Sequence, residues 1–396
     1  MVEYQGSSKI YFGKLLQMKI LVLGSSNTFY IRSYLDYFYN ISGVEIAFIN
    51  TNLDCYFVSD GYKIYNYCSN DSYKTGKVGR VKSFVKTCAK FFRVDDSKFQ
   101  RVFMEYLNNK SKLNKIDDID CFINAFKPDL AFLFWGTTLR FEARFLKERT
   151  IPTVLSVNTY PITFDSEYKP TKRDREYFSS FSGLIFSSHR MKEFFISNGL
   201  LNKEQRFIVN PDFIETEQKF ESTIVEKNTA IKKVIFLGNV DFQHRQADDV
   251  RGEILALAGR GVEVWIQSTR ANNSVDGHEN LKGFAPFNYE QIRRGELNRF
   301  IKDNFNAVLY CYNSSGSLRE ELSITTRFSL SESAGVPVLM KKNKFLAIEE
   351  EFKNKTAFIL YDDINELDLN VSIPLTVNSN MRERKMLLEN FVKSFR

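Results

Sequence analysis

Short apolar runs alternate along this chain with segments whose apolar residues recur at helical spacing. One run, residues 234–237, ends at Gly238 and passes through a polar loop into a helical segment. The apolar face predicted for that helix comprises Val250, Ile254, Leu255 and Leu257. A second apolar run, residues 262–266, follows Gly261. The pattern predicts a strand, loop, helix, strand unit in the middle of the chain.

The same pattern occurs near the amino end. An apolar run at residues 20–23 reaches Gly24, and a polar loop leads to a helix whose predicted buried face is Ile31, Tyr34, Leu35 and Phe38. A strand over residues 44–49 follows. Two such units, one in each half, predict an α/β protein of two facing Rossmann-like domains with a cleft between them.

The alternation of predicted strands and helices along the rest of the chain indicates where the domains begin and end. Strands are predicted within residues 127–135, 154–157, 181–188 and 207–209, followed by a polar stretch typical of a linker. Beyond the central unit we expect a turn at Gly283, a helix, a strand over 307–312, a helix and strand around Pro337, and a final amphipathic helix. The predicted divisions are a leader 1–17, a first domain 18–215, a linker 216–232, a second domain 233–375, and a helix 376–396 that returns to the first domain.

Composition narrows the class of protein. The 396 residues are 43% hydrophobic and 26% charged, enough for two cores, and no apolar stretch approaches the roughly 18 residues that span a bilayer. Five scattered cysteines show no metal-ligand spacing and indicate reduced thiols, so we expect a cytoplasmic protein. The chain has no Walker lysine loop, no G-x-S-x-G elbow and no G-x-G-x-x-G fingerprint, which disfavours NTPase, hydrolase and dehydrogenase functions.

Residues 76–93 carry a basic amphipathic pattern. Val81, Phe84 and Val85 fall on one helical face and Lys82 and Lys86 on another, within a chain of net charge +7. Such a helix is typical of contact with an anionic membrane surface, which would make the protein peripheral to the inner face of the membrane. The alternative is a helix packed on the core with a solvated basic face. No nucleic-acid partner is predicted.

The loop after residue 237 is the first candidate site. Loops at the carboxyl ends of parallel strands bind ligands, and helix amino termini attract anions. Arg245 and Arg251 are placed to meet an anion there, and the alternative is a solvated first turn. A rival metal motif, Asp118-Ile-Asp120, precedes an apolar helix and does not follow a strand, so we predict no metal site.

Three stretches together resemble the nucleotide-sugar-binding domain of GT-B glycosyltransferases: VIFLGNVDFQHR, ENLKGFAPFNYEQI and TTRFSLSESAGVPVL. FSGLIFSSHRMKEFF and IVNPDFIE resemble the segment that ends the first domain of those enzymes, so the likeness covers most of residues 18–396. The resemblance implies a hexosyltransferase-like enzyme that moves a sugar from a nucleotide-sugar donor to a glycan or lipid-linked glycan. Synthesis of a bacterial surface polysaccharide is the process it implies.

The resemblance also implies roles for particular residues. Arg245 and Arg327 would act catalytically by stabilising the departing diphosphate, and the donor-binding set would be Gly238, Asn239, His244, Ser268, Phe284, Ala285 and Glu332. Phe284 and Ala285 would lie beside the nucleotide base. Leu330 stands where many family members have a glutamate for the ribose hydroxyls. Glu332, two residues on, points about 200° away on a helix and is not a simple substitute.

On the first-domain side, Asn27, Asn158 and His189 are candidates for the acceptor, although a capping or surface role suits His189 better. No cofactor is expected beyond the nucleotide-sugar substrate, and a retaining or an inverting mechanism both remain open. Two other functions stay open as well: a nucleotide-sugar epimerase of the same fold, and a binding or scaffold protein that has lost catalysis. Leu330 in place of the acid keeps the latter open.

Overall fold

The structure, a computed structural model, describes residues 17–52, 56–67, 115–135, 139–165, 167–214, 225–240, 242, 246–268, 277–314, 316–375 and 381–396. The predicted basic helix at 76–93 lies outside these residues, as do Asp241, Gln243, His244 and Arg245. Among the helices that are described, none is both long enough and apolar enough to cross a membrane.

The first sheet has seven parallel strands in the order β3-β2-β1-β4-β5-β6-β7. Its strands are β1 Met18–Gly24, β2 Val44–Asn50, β3 Lys63–Asn66, β4 Leu130–Phe134, β5 Thr153–Val157, β6 Gly183–Phe186 and β7 Arg206–Val209. The helices of this half are α1 Phe29–Tyr39, α2 Ile116–Phe126, α3 Arg140–Glu148, α4 Lys172–Phe178 and α5 His189–Ser197. All four residues of the predicted α1 face are fully buried, as the pattern required.

The second sheet has six parallel strands in the order β11-β10-β9-β12-β13-β14. These are β9 Lys233–Phe236, β10 Glu263–Gln267, β11 Leu281–Phe284, β12 Ala307–Tyr310, β13 Val338–Lys341 and β14 Phe358–Tyr361. The α-helices are α6 Arg251–Gly259, α7 Tyr289–Arg293, α8 Glu296–Asn304, α9 Leu318–Leu322, α10 Thr326–Ser333, α11 Leu346–Phe352 and α12 Met381–Lys393, and a short 3-10 turn covers Gln246–Asp248.

Three local predictions are corrected by the structure. Gly283 lies inside strand β11 and not in a turn: a Cβ there would meet Ser268 Oγ at 2.2 Å, so glycine lets β10 and β11 approach. Leu255 was expected on the buried face of α6 but is exposed, because the helix packs through Ile254 and Leu257. The polar segment predicted as a linker contains a strand, β8 Val225–Ala230, which pairs antiparallel with β15 Asn370–Leu375.

The last helix crosses back to the first sheet, as the sequence predicted. Leu388, Phe391 and Val392 of α12 join the apolar cluster that contains Ile20 and Val22 of β1. Gly183 of β6 makes room for this packing, because a Cβ there would lie 2.6 Å from the ring of Phe395. The chain therefore folds as two α/β units with parallel sheets, and the first is completed by the last helix.

Candidate functional site

Two neighbouring strands of the second sheet bring polar side chains together at their carboxyl ends. The loop after β9 carries Asn239, whose Nδ2 donates to Asp248 Oδ2 at 3.2 Å. Helix α10, which follows β12 in the chain, contributes Arg327, with its Nη2 3.9 Å from Asp248 Oδ1. Asp248 is buried at this point. The predicted residues Asn239 and Arg327 thus share one buried acidic neighbour.

The Arg327 side chain is held between aromatic rings. Its guanidinium carbon lies 4.6 Å from the centre of the Tyr312 ring and 5.5 Å from that of Phe236. Nη1 donates one long hydrogen bond, 3.4 Å, to the carbonyl of Cys311. A guanidinium has five N–H donors, so within the described residues most of them lack an acceptor. Such a group is suited to a phosphate or other anion.

Gly238 lies directly after β9 and is packed against the same aromatic ring that faces Arg327. A Cβ at this position would stand 2.0 Å from the Phe236 ring. A larger residue here would therefore require the Phe236 ring to move. The backbone here can approach a ligand at the strand end without an intervening side chain.

Three other residues predicted to bind the donor lie at the carboxyl ends of the neighbouring strands β10 and β11: Ser268, Phe284 and Ala285. Ser268 and Ala285 are exposed just after β10 and β11, and the Ser268 N–H donates to the carbonyl of Phe284 at 2.8 Å. The ring of Phe284 is buried against Phe287 and Phe300, so only its backbone reaches this edge. Arg245 and His244 lie outside the described residues.

Leu330 and Glu332 face away from Arg327. Leu330 is buried in an apolar cluster with Phe284 and Val308. Glu332 is buried on another side of α10, with its Oε2 3.9 Å from Arg384 Nη2 of helix α12. Burial raises the pKa of Glu332, and the nearby Arg384 lowers it. No carboxylate at position 330 or 332 therefore lies beside Arg327.

On the first sheet, the loops after β1 and β5 hold two of the three predicted acceptor residues. Asn27 is exposed in the turn after β1. Asn158 is buried after β5; its Oδ1 accepts from Ser156 Oγ at 2.5 Å, while its Nδ2 has no partner among the described residues. Asn158 is therefore the predicted acceptor residue with an unused buried donor.

His189 is the first residue of α5 and belongs to a surface contact. Its backbone N–H and its Nδ1 both lie 2.6 Å from Glu351 Oε1, and the ring is largely exposed. The side chain thus joins α5 to α11 and is not near Asn27 or Asn158 in any contact that the structure describes. This agrees with the surface role that the sequence favoured.

Asp212 was not selected from the sequence, yet it is a buried acid between the two halves. It is 1% exposed; its Oδ2 accepts from Thr326 Oγ1 at 2.8 Å and its carbonyl accepts from Ser329 Oγ at 2.7 Å. Burial raises its pKa to about 7, although the Thr326 hydrogen bond and Arg384 act in the opposite direction. In the sequence, Asp212 stands out only as an acid that follows Asn210-Pro211, and this pattern equally fits an exposed turn.

Comparison with known proteins gives matches in structure and none in sequence. No protein-family model matches the chain, and no curated protein matches it. A sucrose-phosphate synthase from Thermosynechococcus elongatus aligns with 95% of this chain and 97% of its own length, at a TM-score of 0.55 and 9% identity. A UDP-GlcNAc 2-epimerase from Methanocaldococcus jannaschii aligns with 94% of this chain and 100% of its own, at a TM-score of 0.50 and 12% identity.

The chain has the GT-B fold. At these identities the likeness concerns the architecture, which the two parallel sheets already show. In this GT-B chain, α10 places Arg327 at the second-sheet edge while Thr326 and Ser329 of the same helix contact Asp212 of the first half. One helix therefore connects the candidate phosphate site to the junction between the domains.

The rival metal motif has a structural role in this GT-B chain. Asp120 lies in α2, and its Oδ1 accepts from Arg149 Nε at 2.7 Å. Among the described residues, no group of three or more histidine, cysteine, aspartate or glutamate side chains is arranged to hold a metal ion.

Proposed function

We propose that the protein is a metal-independent glycosyltransferase that moves a sugar from a nucleotide-sugar donor to a glycan or lipid-linked glycan of a surface polysaccharide. The observation that carries this proposal is the under-satisfied Arg327 at the carboxyl ends of β9 and β12, beside Gly238 and Asn239. A ligand there would meet a cation, an amide side chain and the glycine backbone within one edge of the sheet.

The chemistry of glycosyl transfer requires this kind of edge. The bond from the anomeric carbon to the diphosphate breaks, and negative charge develops on the departing oxygen, which fixed donors and cations stabilise. Tyr312 and Phe236 hold the Arg327 guanidinium in place, so little reorganisation is needed when charge develops. Arg245, in the loop after β9, is the second cation that we assign to this step.

The donor-binding residues that we propose differ in what they offer. Ser268, Ala285 and the backbone of Phe284 lie at the edge where the base would bind. Leu330 supplies no carboxylate to the ribose and Glu332 is paired with Arg384. We therefore expect a weaker preference for the ribose hydroxyls than a glutamate at position 330 would confer.

The acceptor would bind at the first-sheet edge near Asn27 and Asn158. Asn158 Nδ2 is a buried, unpartnered donor that an acceptor hydroxyl or its ring oxygen would satisfy once the side chain turns toward the edge. A lipid-linked acceptor would be found at the inner membrane surface, which residues 76–93 would contact through their lysines. The proposed location is accordingly cytoplasmic and peripheral to the membrane.

A thermal-shift screen against UDP, GDP, CDP, CMP and ADP tests the donor site. A nucleotide at about a hundred times its dissociation constant adds roughly 2.7 kcal/mol to the free energy of unfolding, and we expect one of the five to do so. Arg327→Ala should lose that response. Arg251→Ala is the matched control, because its Nε already donates to Asp249 Oδ1 at 2.6 Å. An equal response in Arg327→Ala and the wild type would refute the site.

Product analysis separates the alternative functions. The nucleotide sugar whose nucleotide stabilises the protein is incubated without an acceptor and examined by NMR. Conversion to an epimer with the nucleotide still attached would establish the epimerase alternative and overturn the transferase proposal. The absence of any nucleotide response in the thermal screen would instead favour the non-catalytic scaffold.

A further inference from the structure

A cavity separate from the candidate donor edge lies where β7, helix α11 and helix α12 meet. Its volume is about 370 Å³, within the roughly 300–1,000 Å³ typical of small-molecule sites. Residues from the first half, the second half and α12 all line it, among them Phe207, Asn210, Lys355 and Arg384. Arg327 and the candidate donor edge take no part in its lining.

Two buried polar side chains in this wall lack adequate partners. Arg384 is 9% exposed, and its only ion pair among the described residues is with Glu332 Oε2 at 3.9 Å, beyond hydrogen-bond distance; it also interacts electrostatically with the buried Asp212. Asn210 is 2% exposed, and neither its Nδ2 nor its Oδ1 has a hydrogen-bond partner. A buried guanidinium without hydrogen-bond acceptors is unfavourable, so Arg384 is suited to an acceptor-rich ligand.

The Arg384 guanidinium is held in a fixed position. It lies over the Phe352 ring with its carbon 5.1 Å from the ring centre, and Phe352 also lines the cavity. A planar guanidinium held in this way matches two oxygens of one phosphate at once. Lys192 and Lys355 add positive charge to the wall, against the acids Glu351 and Glu383. Glu351 is already an acceptor for His189.

Apolar side chains flank these polar groups. Phe207 and Leu387 line the cavity and are 41% and 40% exposed, respectively, which is unusual for such large hydrophobic residues. Covering them would remove apolar surface from water. The cavity therefore combines acceptor-seeking groups with an exposed apolar surface.

We propose that this cavity binds a phosphate monoester carried on an apolar chain. The phosphate pairs with the Arg384 guanidinium, with Lys355 on the same wall, and the chain contacts Phe207 and Leu387. Because both halves and α12 form the wall, the bound ligand holds the two domains in the described arrangement. The proposal is independent of the donor site, since Arg384 lines this cavity and Arg327 does not.

Hexyl phosphate and inorganic phosphate are the probes, with affinity measured by isothermal titration calorimetry on the full chain. We expect hexyl phosphate to bind at least tenfold more tightly than inorganic phosphate. Arg384→Gln should weaken hexyl phosphate at least tenfold. Arg382→Gln is the matched control, because it removes the same charge from an exposed position on α12 and should leave the affinity unchanged.

Additional variants keep the test decisive. If Arg384→Gln fails to fold because Glu332 loses its buried partner, Lys355→Gln at the half-buried wall should still weaken binding several-fold. Phe207→Ser should abolish the advantage of hexyl phosphate over inorganic phosphate. The proposal would be overturned if the wild type did not bind hexyl phosphate. It would also be overturned if Arg384→Gln and Lys355→Gln both kept the wild-type affinity.

Vesicles distinguish the source of the ligand. Co-sedimentation with phosphatidylcholine vesicles that contain one-fifth phosphatidic acid, lost in Arg384→Gln but kept in Arg382→Gln, would identify a lipid headgroup. Binding of hexyl phosphate without vesicle binding would identify a free phosphorylated metabolite. Arg327→Ala should keep its hexyl phosphate response, so failure of the donor-site proposal and failure of this one are separately observable.

Discussion

Two of the regions in which the domains touch differ in chemical character. At the front bridge, which is the contact of α1 with α7, Arg32 Nη2 lies 3.0 Å from Glu290 Oε1 and its guanidinium 4.1 Å from the Tyr289 ring centre. The Tyr289 hydroxyl donates to Asp36 Oδ2 at 2.7 Å. The charged side chains of Arg32 and Glu290 are partly exposed in this contact, while the Tyr289 ring is buried and stacks on Phe29 with the ring centres 6.2 Å apart.

The rear junction, where α9 and α10 meet the loops after β5, β6 and β7, is made of buried hydrogen bonds. Ser323 Oγ accepts from the Tyr160 N–H at 3.0 Å, and Ser187 Oγ accepts from the Ile324 N–H at 3.2 Å. Asp212 belongs to the same region. Helix α12 adds its apolar packing on the first sheet.

The difference indicates where the molecule opens. An exposed ion pair contributes about 0–1 kcal/mol, whereas breaking a buried hydrogen bond leaves groups unsatisfied at about 1–3 kcal/mol each. We expect the front bridge to separate during substrate exchange while the rear junction stays closed and acts as the hinge. The following predictions test that contrast, from the largest expected effect to the smallest.

Phe391→Ala removes a buried ring from the packing of α12 on the first sheet. We expect a loss of about 3–5 kcal/mol in the free energy of unfolding, because the substitution leaves a cavity. Urea denaturation measures it. Met386→Ala, at an exposed position of the same helix, should change stability little. Equal effects would mean that α12 does not hold the rear junction.

Asp212→Asn tests the buried acid at the rear through pH. The pKa of Asp212 is about 7 in the folded protein and about 3.9 in an unfolded chain, so the folded state binds more protons between these values. The stability that Asp212 contributes is present below the unfolded pKa and is lost as pH rises toward 7. Asparagine retains an acceptor for Thr326 and does not ionise.

The measurement compares the free energies of unfolding of the wild type and Asp212→Asn, obtained from urea denaturation at each pH from 4 to 8. We expect the difference to move in favour of the variant by a few kcal/mol, on the order of 1.4 per pH unit between the two pKa values. Other carboxyls affect both proteins alike and cancel. A constant difference across this range would show that Asp212 does not titrate there.

Ser323→Ala removes a hydroxyl that serves both the N–H and the carbonyl of Tyr160. We expect a destabilisation of about 1–3 kcal/mol, because both backbone groups are left buried and unpaired. Chemical denaturation measures it, with Ser197→Ala at an exposed position as the control. If Ser323→Ala destabilised the protein no more than Ser197→Ala does, the rear junction would be no harder to open than the front bridge.

Arg32→Ala should have the smallest effect on stability, within about 1 kcal/mol, because its ion pair is partly exposed. Small-angle scattering should nevertheless show a larger radius of gyration, since the variant loses the ion pair with Glu290 and the contact with the Tyr289 ring, although it keeps the Tyr289–Asp36 hydrogen bond. Ser197→Ala serves again as the unaltered reference. An unchanged radius would show that the front contacts do not hold the cleft closed.

The sequence predicted the strands well because parallel strands buried on both faces read as continuous apolar runs. Residues 20–23 and 234–236 are such cases, and all are buried. β11 was missed because Gly283 was interpreted as a turn signal, whereas its actual role is to make room for Ser268 of the neighbouring strand. β8 was missed because its residues show no apolar alternation and its partner strand is distant in the chain.

The candidate site residues were selected from the family resemblance, and local patterns did not supply their partners. Asn239 and Arg327 both reach Asp248, because β9 and β12 are neighbouring strands. The partner of Glu332 is Arg384 in a later helix, and no local pattern encodes such a pairing. Asp212 was overlooked for the same reason: its burial depends on Thr326 and Ser329 of the other domain.

The return of α12 to β1 makes the second domain an insertion within the first. During translation, the sheet of the first domain remains incompletely covered until Leu388, Phe391 and Val392 have left the ribosome. The second domain, whose strands β9 to β14 are contiguous in sequence, can fold before that moment. A released chain that ends before residue 381 should therefore hold a folded second domain beside a first domain whose sheet still exposes apolar surface and recruits chaperones.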